Sequence, residues 1–386
     1  MDFASLARID GTLSGSAAPV FLHTGWRSRG TWIWAALRAD PRVMGIYEPL
    51  NEAMAGLTPD GIAAIRPDSW FSGHPPMPPY WSEFAGVLRP DASGVPGYQA
   101  AFATENAFAG AMELQPELAA YLRGLLLHAT AAGRVPVFKF CRSMGRVAWM
   151  QAAFPQALHA VVMRRPDAQW ASARRQMEVH NNPYFVAMPL LMLARNADAP
   201  VVARACRALR VPLPRLRQAD PVRAAETCRQ IVEHLSWADR YCAFLAHWMA
   251  GALSAVSTDC LVMDADMLLW SAQYRRDITA TVARCSGLRL NLPIDPARTV
   301  TTPPALDGEE TEAQRAALTL LQEHRTTLRP DGYMMAWNLL AAPLIRPNAE
   351  AQHDDATEAE DPSALSPPRP WFRNPWAHRR HAAAAE

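Results

Sequence analysis

Apolar and polar positions follow one another in short blocks over the first half of the chain. An apolar run at 19–22 (Pro19, Val20, Phe21, Leu22) predicts a short buried strand. A turn follows, Thr24-Gly25-Trp26-Arg27-Ser28-Arg29-Gly30, and residues 31–37 predict the first turns of a helix. A second apolar strand is expected at 43–47, ended by Glu48-Pro49. Residues 118–132 predict a helix, with Leu118, Tyr121, Leu122, Leu125 and Leu126 on one face and Gly133 as its stop. Then come a strand at 135–141, a helix at 145–154 broken at Pro155, a strand at 158–163, and a helix from Arg164-Arg165-Pro166 to about 179. Strand and helix alternating in this way predict an α/β fold, a central parallel sheet flanked by helices. Ligands of such sheets bind at the carboxyl ends of the strands, and Arg27, Lys139 with Arg142, and Arg164 fall at those ends.

Two stretches break the alternation. Residues 51–98 are rich in Pro, Gly and Trp, including His74-Pro75-Pro76-Met77-Pro78-Pro79, and proline blocks a packed helix. The stretch is too aromatic for an inert linker and reads as a surface insertion covering a site. Residues 181–221 read as irregular, with Pro183, Pro189, Pro200, Pro212 and Pro214. One or two long helices are expected at 222–256, a strand at 260–264, and helices at 267–286, 309–328 and 333–340. The expected organisation is an N-terminal arm at 1–17, one domain at 18–345 with substrate-shaping insertions near 51–98 and 181–221, and a disordered tail at 346–386.

Composition narrows the class. Half of the 386 residues are hydrophobic, enough for an ample core, and the formal net charge of +1 gives no basic excess for nucleic acid. Cys141, Cys206, Cys228, Cys242, Cys260 and Cys285 show no CxxC pairing and read as reduced, buried thiols of a cytoplasmic protein. No run of about 18 apolar residues predicts a membrane span. His378 and His381 have too few partners nearby for a metal site.

A strand, a tight glycine turn and a helix N-terminus together make an anion site, because the first amides of the helix lack partners and its dipole favours negative charge. The spacing Gly25-x4-Gly30 copies the frame of a nucleotide P-loop, but Thr31 stands where a Walker lysine would be, and the positive charge sits inside the loop at Arg27 and Arg29. That suits a phosphosulfate better than Mg-ATP; a P-loop kinase or NTPase is the rival enzyme class. Arg164 and Ser172, eight residues apart across a strand end and two helical turns, can converge on one anion; the plainer reading is an amphipathic helix with a capping turn. Glu48 reads either as a general base or as a surface carboxylate before proline, with Glu52 as a second candidate. Lys139 is either functional or snorkels over the sheet edge. His23 reads as a packed strand-end histidine, and Asp264 or Asp266 as a helix cap.

These residues, from about 18 to 290, resemble the sulfotransferase family, in particular its carbohydrate-type members and their bacterial relatives. Arg27-Ser28-Arg29-Gly30-Thr31-Trp32 resembles the family's 5′-phosphosulfate loop, with Arg29 in the usual glycine position and Gly30 one place late. A non-glycine residue resists positive φ there. Arg164, Pro166 and Ser172 resemble the family's 3′-phosphate element, with Arg165 replacing its usual Asp. Lys139-Phe140-Cys141-Arg142 and Tyr47-Glu48-Pro49-Leu50 resemble segments of the carbohydrate-type members. Leu261-Val262-Met263-Asp264-Ala265-Asp266, after the helix bearing Trp248, is weakly similar to the family's acidic strand end. The resemblance implies a P-loop-like fold and sulfuryl transfer from 3′-phosphoadenosine-5′-phosphosulfate (PAPS) to a hydroxyl or amine of a small-molecule or glycan acceptor, without metal. It implies Arg27, Glu48 and Lys139 as catalytic residues, and Gly25, Trp26, Arg27, Ser28, Arg29, Gly30, Thr31, Trp32, Arg164 and Ser172 as nucleotide-binding residues. A non-catalytic nucleotide-binding relative is the alternative outside enzymes.

Overall fold

In a computed structural model the protein is described over residues 17–67, 74, 76–91, 93–216, 220–294 and 303–345. The expected arm, apart from Ala17, and the expected tail lie outside the described residues. Five strands among the described residues form one sheet: β1 (Val20–Thr24), β2 (Val43–Tyr47), β3 (Val135–Phe140), β4 (Leu158–Met163) and β5 (Leu261–Asp264). Their order is β2-β3-β1-β4-β5 and every pairing is parallel, so the α/β fold is as the alternation predicts. The chain leaves β1 towards β2 on one side and later returns past it to β4 on the other. The carboxyl end of β1 is therefore a topological switch point, where open α/β sheets form their ligand crevice.

Helices α1 (Gly30–Arg38), α2 (Pro59–Ala64), α3 (Pro116–Ala131), α4 (Val147–Ala153) and α5 (Pro166–His180) surround the first four strands in sequence. Phe21, Trp34, Phe138, Phe140 and Phe154 are fully buried in the core that joins the sheet to α1, α3 and α4. The segment at 51–98 adds Tyr80, Trp81, Phe84 and Tyr98 to that core, and Tyr80 stacks on Tyr47 at 4.6 Å. These four aromatic residues are interior, and the described part of the segment forms 3-10 turns and the short α2.

The stretch at 181–221 is a larger correction. It forms α6 (Tyr184–Arg195) and α7 (Pro200–Ala208), followed by α8 (Pro221–His234) and α9 (Trp237–Val256). Prolines mislead here because they begin helices: α2, α3, α5, α7 and α8 each carry Pro in their first positions, where the missing N–H is not needed. Pro189 does lie inside α6, but every residue from Phe185 to Arg195 is buried, and that packing offsets a lost backbone bond costing about 3 kcal/mol. After β5 come α10 (Met267–Trp270), α11 (Ala272–Ser286), α12 (Gly308–Glu323) and α13 (Pro330–Ile345). A second core, including Trp170, Leu191, Tyr241, Phe244, Leu321 and Leu340, joins α5–α9 to α12 and α13.

Candidate active site

Thr24 ends β1 and the chain turns through Gly25 into α1. Both arginines of this loop are left-handed, Arg27 at φ 61° and Arg29 at φ 67°. Arg29, in the position where the resemblance expects glycine, adopts the glycine conformation without being glycine. Gly30 is needed for a different reason: a Cβ there would lie 2.4 Å from the Thr24 side chain, so only glycine lets the helix start against the strand end. The Ser28 hydroxyl donates to the Gly25 carbonyl at 2.7 Å and holds the turn. Helix α1 begins with no side-chain cap and no acidic residue in its first turn, which leaves its N-terminal amides suited to an anion. Trp26 is buried against His247, Thr31 shares a hydrogen bond with the Tyr47 hydroxyl at 3.0 Å, and Trp32 donates to the Pro293 carbonyl at 3.2 Å.

The turn from β4 to α5 brings the second set of residues to the same place. Arg27 Nε donates to Ser172 Oγ at 2.8 Å, and its guanidinium lies 5.0 Å from the centre of the Phe185 ring. Arg164 Nη1 donates to the Arg27 carbonyl at 2.9 Å, and its Nε to Asp266 Oδ1 at 3.3 Å. The Arg164 carbonyl accepts from Gln169 and Trp248, so the turn is held from two helices. Arg165, where the resemblance expects Asp, pairs with Asp167. Burial, followed by the nearby Arg164 charge, pushes the pKa of Arg27 and Arg29 down to about 10. Both remain cations at neutral pH. Arg27, Arg164 and Ser172, separate in sequence, are one connected cluster.

A third group lies at the ends of β2 and β3. Glu48, also left-handed at φ 49°, sends one carboxylate oxygen to Lys139 Nζ and the other to the Cys141 amide at 2.9 Å. Lys139 also donates to Cys141 Sγ at 2.9 Å and lies 4.6 Å from the Tyr47 ring centre. Because β3 sits between β2 and β1, Lys139 is interior and does not snorkel over a sheet edge. Burial alone would raise the pKa of Glu48, yet the Lys139 and Arg142 charges outweigh it and hold the carboxyl below its ordinary value. Burial acts to strip the proton from Lys139, but Cys141, Glu48 and Tyr47 together hold its pKa well above normal. Cys141 is pushed up to about 11, first by burial and then by Glu48, and stays a thiol. Glu52, with a 38% exposed side chain, is engaged by Arg142 and by the Tyr184 hydroxyl. Arg142 Nε and Nη1 are buried without a hydrogen-bond partner, Nη1 lying 3.7 Å from Glu48 Oε2.

Two groups of residues carried more than the sequence indicated. Asp264, not Asp266, accepts the amides at the start of α10, while Asp266 faces Arg29 and Arg164. His23 is fully buried and belongs to a chain whose direction is fixed by its last member. His159 Nε2 must donate to the Phe154 carbonyl, so its Nδ1 accepts from His23 Nε2, and His23 Nδ1 accepts from Ser143 Oγ. His23 and His159 lie on one face of neighbouring parallel strands, a period-two pattern that only the pairing of β1 with β4 makes visible.

Among the described residues, no group of three or more His, Cys, Asp or Glu could hold a metal ion, and no helix is long and apolar enough to cross a membrane. No family model and no curated protein matches the chain. Among solved structures it is similar to a sulfotransferase from Mycobacterium tuberculosis H37Rv, at 14% identity and a TM-score of 0.36, over 86% of this chain and 77% of that one.

Proposed function

We propose that the protein is a sulfotransferase that moves a sulfuryl group from PAPS to a hydroxyl or amine of an acceptor, with carbohydrate as the first class to try. The observation that supports this best is the convergence of Arg27, Arg164 and Ser172 beside the uncapped N-terminus of α1. Two anionic groups of one nucleotide need two cationic places a short way apart. The loop Gly25–Trp32 supplies one and the β4–α5 turn supplies the other. The residues fit such a ligand in chemistry. Arg29 keeps a buried Nε with no hydrogen-bond partner, α1 offers free amides, and no carboxylate stands in its first turn.

In this reading Gly25, Trp26, Ser28, Arg29, Gly30, Thr31 and Trp32 surround the 5′-phosphosulfate, and Arg164 with Ser172 holds the 3′-phosphate. When bound, PAPS supplies the activated sulfuryl group. Arg27 and Lys139 are the cations that meet negative charge on the leaving side; such preorganised contacts act without reorganising during the reaction. Glu48 takes the acceptor proton as a carboxylate that Lys139 and Arg142 keep ionised. The same pairing lowers its proton affinity, which makes the more exposed Glu52 its rival.

Calorimetric titration of the full chain with adenosine 3′,5′-bisphosphate and with adenosine 5′-monophosphate tests the proposal. The bisphosphate is expected to bind more tightly by at least about tenfold, the worth of one charge-assisted contact to the 3′-phosphate. Equal affinity for both, or binding of Mg-ATP alone, would remove its support.

A further inference from the structure

The loop between β1 and α1 holds two left-handed residues that are not glycine, Arg27 and Arg29. Such a conformation persists only where the surroundings hold it. Ser28 braces the turn internally, but the contacts that reach Arg27 and Arg29 from β4 and β5 meet at one carboxylate. We infer that Asp266 is a positioning residue of the candidate active site, a clamp that keeps both loop arginines in their left-handed conformation and aims their charge.

The geometry runs as a branched path. Asp264 Oδ1 accepts the amides of Asp266 at 2.8 Å and Met267 at 3.0 Å, which fixes the chain just past β5. The Asp266 side chain, 11% exposed, then points back across the sheet end. Its Oδ1 lies 3.6 Å from Arg29 Nε and 3.3 Å from Arg164 Nε, and its Oδ2 accepts from the Arg165 amide at 3.4 Å. Arg164 passes the tether on, donating from Nη1 to the carbonyl of Arg27. Asp266 thus reaches Arg29 directly and Arg27 through one intermediate.

Charge gives the second reason for a carboxylate at this point. Arg164 depresses the pKa of both Arg27 and Arg29, so three cations crowd one strand end, while Asp266 acts in the opposite sense on Arg29 and Arg164. Without a counter-ion the arginines would separate, and the loop would relax to an unstrained backbone. Ion-paired with Asp266 at 3.6 Å but not hydrogen-bonded to it through Nε, Arg29 keeps that donor for an anion. Ordering these groups before the ligand arrives removes part of the entropic cost of binding. The residue therefore explains how an arginine is tolerated where the sulfotransferase resemblance expects glycine. The inference deepens the proposed nucleotide site, but the clamp itself does not depend on which anion binds.

Hydrogen exchange on the full chain tests it, comparing wild type with Asp266→Asn and Asp266→Ala, each with and without Arg29→Gly. Asp266→Ala is expected to speed exchange of the amides at 25–31 about tenfold, with Asp266→Asn intermediate, while β3 and β4 keep their protection. In the Arg29→Gly background, where glycine accepts the conformation freely, the same change should have a smaller effect; that non-additivity is the signature of coupling. Equal acceleration in both backgrounds, or acceleration spread evenly over the sheet, would overturn the inference. If Asp266→Ala fails to fold, the Asp266→Asn pair decides in the same terms. Titration with adenosine 3′,5′-bisphosphate is run alongside and should weaken about tenfold in Asp266→Ala. A wild-type protein that binds no nucleotide would remove the proposed function, and the exchange data would still judge the clamp.

Discussion

Arg27 and Ser172 stand 145 residues apart in sequence, and their side chains meet at 2.8 Å. The contact joins the loop after β1 to the helix after β4. It fixes the guanidinium by Nε against a hydroxyl on rigid helix, where its position is better defined than on a loop alone.

If Arg164 and Ser172 hold the 3′-phosphate, Arg164→Ala and Ser172→Ala should weaken binding of adenosine 3′,5′-bisphosphate and leave the 5′-monophosphate nearly unaffected. Charge-assisted hydrogen bonds of about 1.5–3 kcal/mol predict a loss of roughly ten- to a hundredfold for the arginine. Calorimetry with both nucleotides is the measurement. Equal losses would mean that Arg164 only braces the Arg27 carbonyl.

Arg27→Ala should act mainly on turnover, lowering it on the order of 10²–10³, the usual effect of removing one preorganised contact to developing charge. Steady-state kinetics would show the fall in kcat exceeding any change in nucleotide affinity. A variant that binds poorly but turns over normally would place Arg27 in binding alone.

The two carboxylates should fail differently. Glu48→Gln leaves Lys139 buried without its counter-ion, and breaking a buried pair costs about 3–5 kcal/mol, so the melting temperature should fall together with turnover. As the base, Glu48 should account for roughly 10²–10⁴ in rate. Glu52→Gln removes a counter-ion of the buried Arg142 but at a 38% exposed position, so the melting temperature should fall less than in Glu48→Gln. If Glu48→Gln retains turnover while Glu52→Gln loses it, the base assignment passes to Glu52.

Gly30→Ala should prevent the loop from seating. The added carbon would meet Thr24 at 2.4 Å, and overpacking of this kind costs about 1–3 kcal/mol. Nucleotide binding should be lost before the fold is, which calorimetry and thermal melting on the same sample would separate.

The buried histidines set an acid limit. Burial lowers the pKa of His159 to about 4, and burial with the neighbouring His159 lowers that of His23 well below normal. As pH falls below about 6.5, the unfolded chain takes up protons that the folded chain refuses, so the folded state loses stability as pH drops. His159 alone accounts for about 3 kcal/mol of loss between pH 6.5 and 4, since the stability is intact above the unfolded pKa. Thermal melts across this window should show a slope that His159→Gln reduces. A slope unchanged by the substitution would assign the acid sensitivity elsewhere.

The local pattern of residues by itself determined the parallel α/β class, the four strands of the first half nearly to their ends, and the turns that follow β1 and β4. Those features are written in short range: an apolar run, a glycine turn, a proline after a strand. The helices at 184–208 escaped because proline is a breaker inside a helix and a starter at its first turn, and only the packing of α6 and α7 distinguishes the two. Arg29 could be read only as a misfit for positive φ, since the carboxylate that accommodates it lies 237 residues further on and past another strand. The same holds for Glu48 with Lys139 and for His23 with His159. Each is a polar residue whose burial is tolerated because a partner arrives from a neighbouring strand, and strand order is a property of the whole chain. Composition sets which groups carry charge; the β2-β3-β1-β4-β5 order decided which of them neutralise one another.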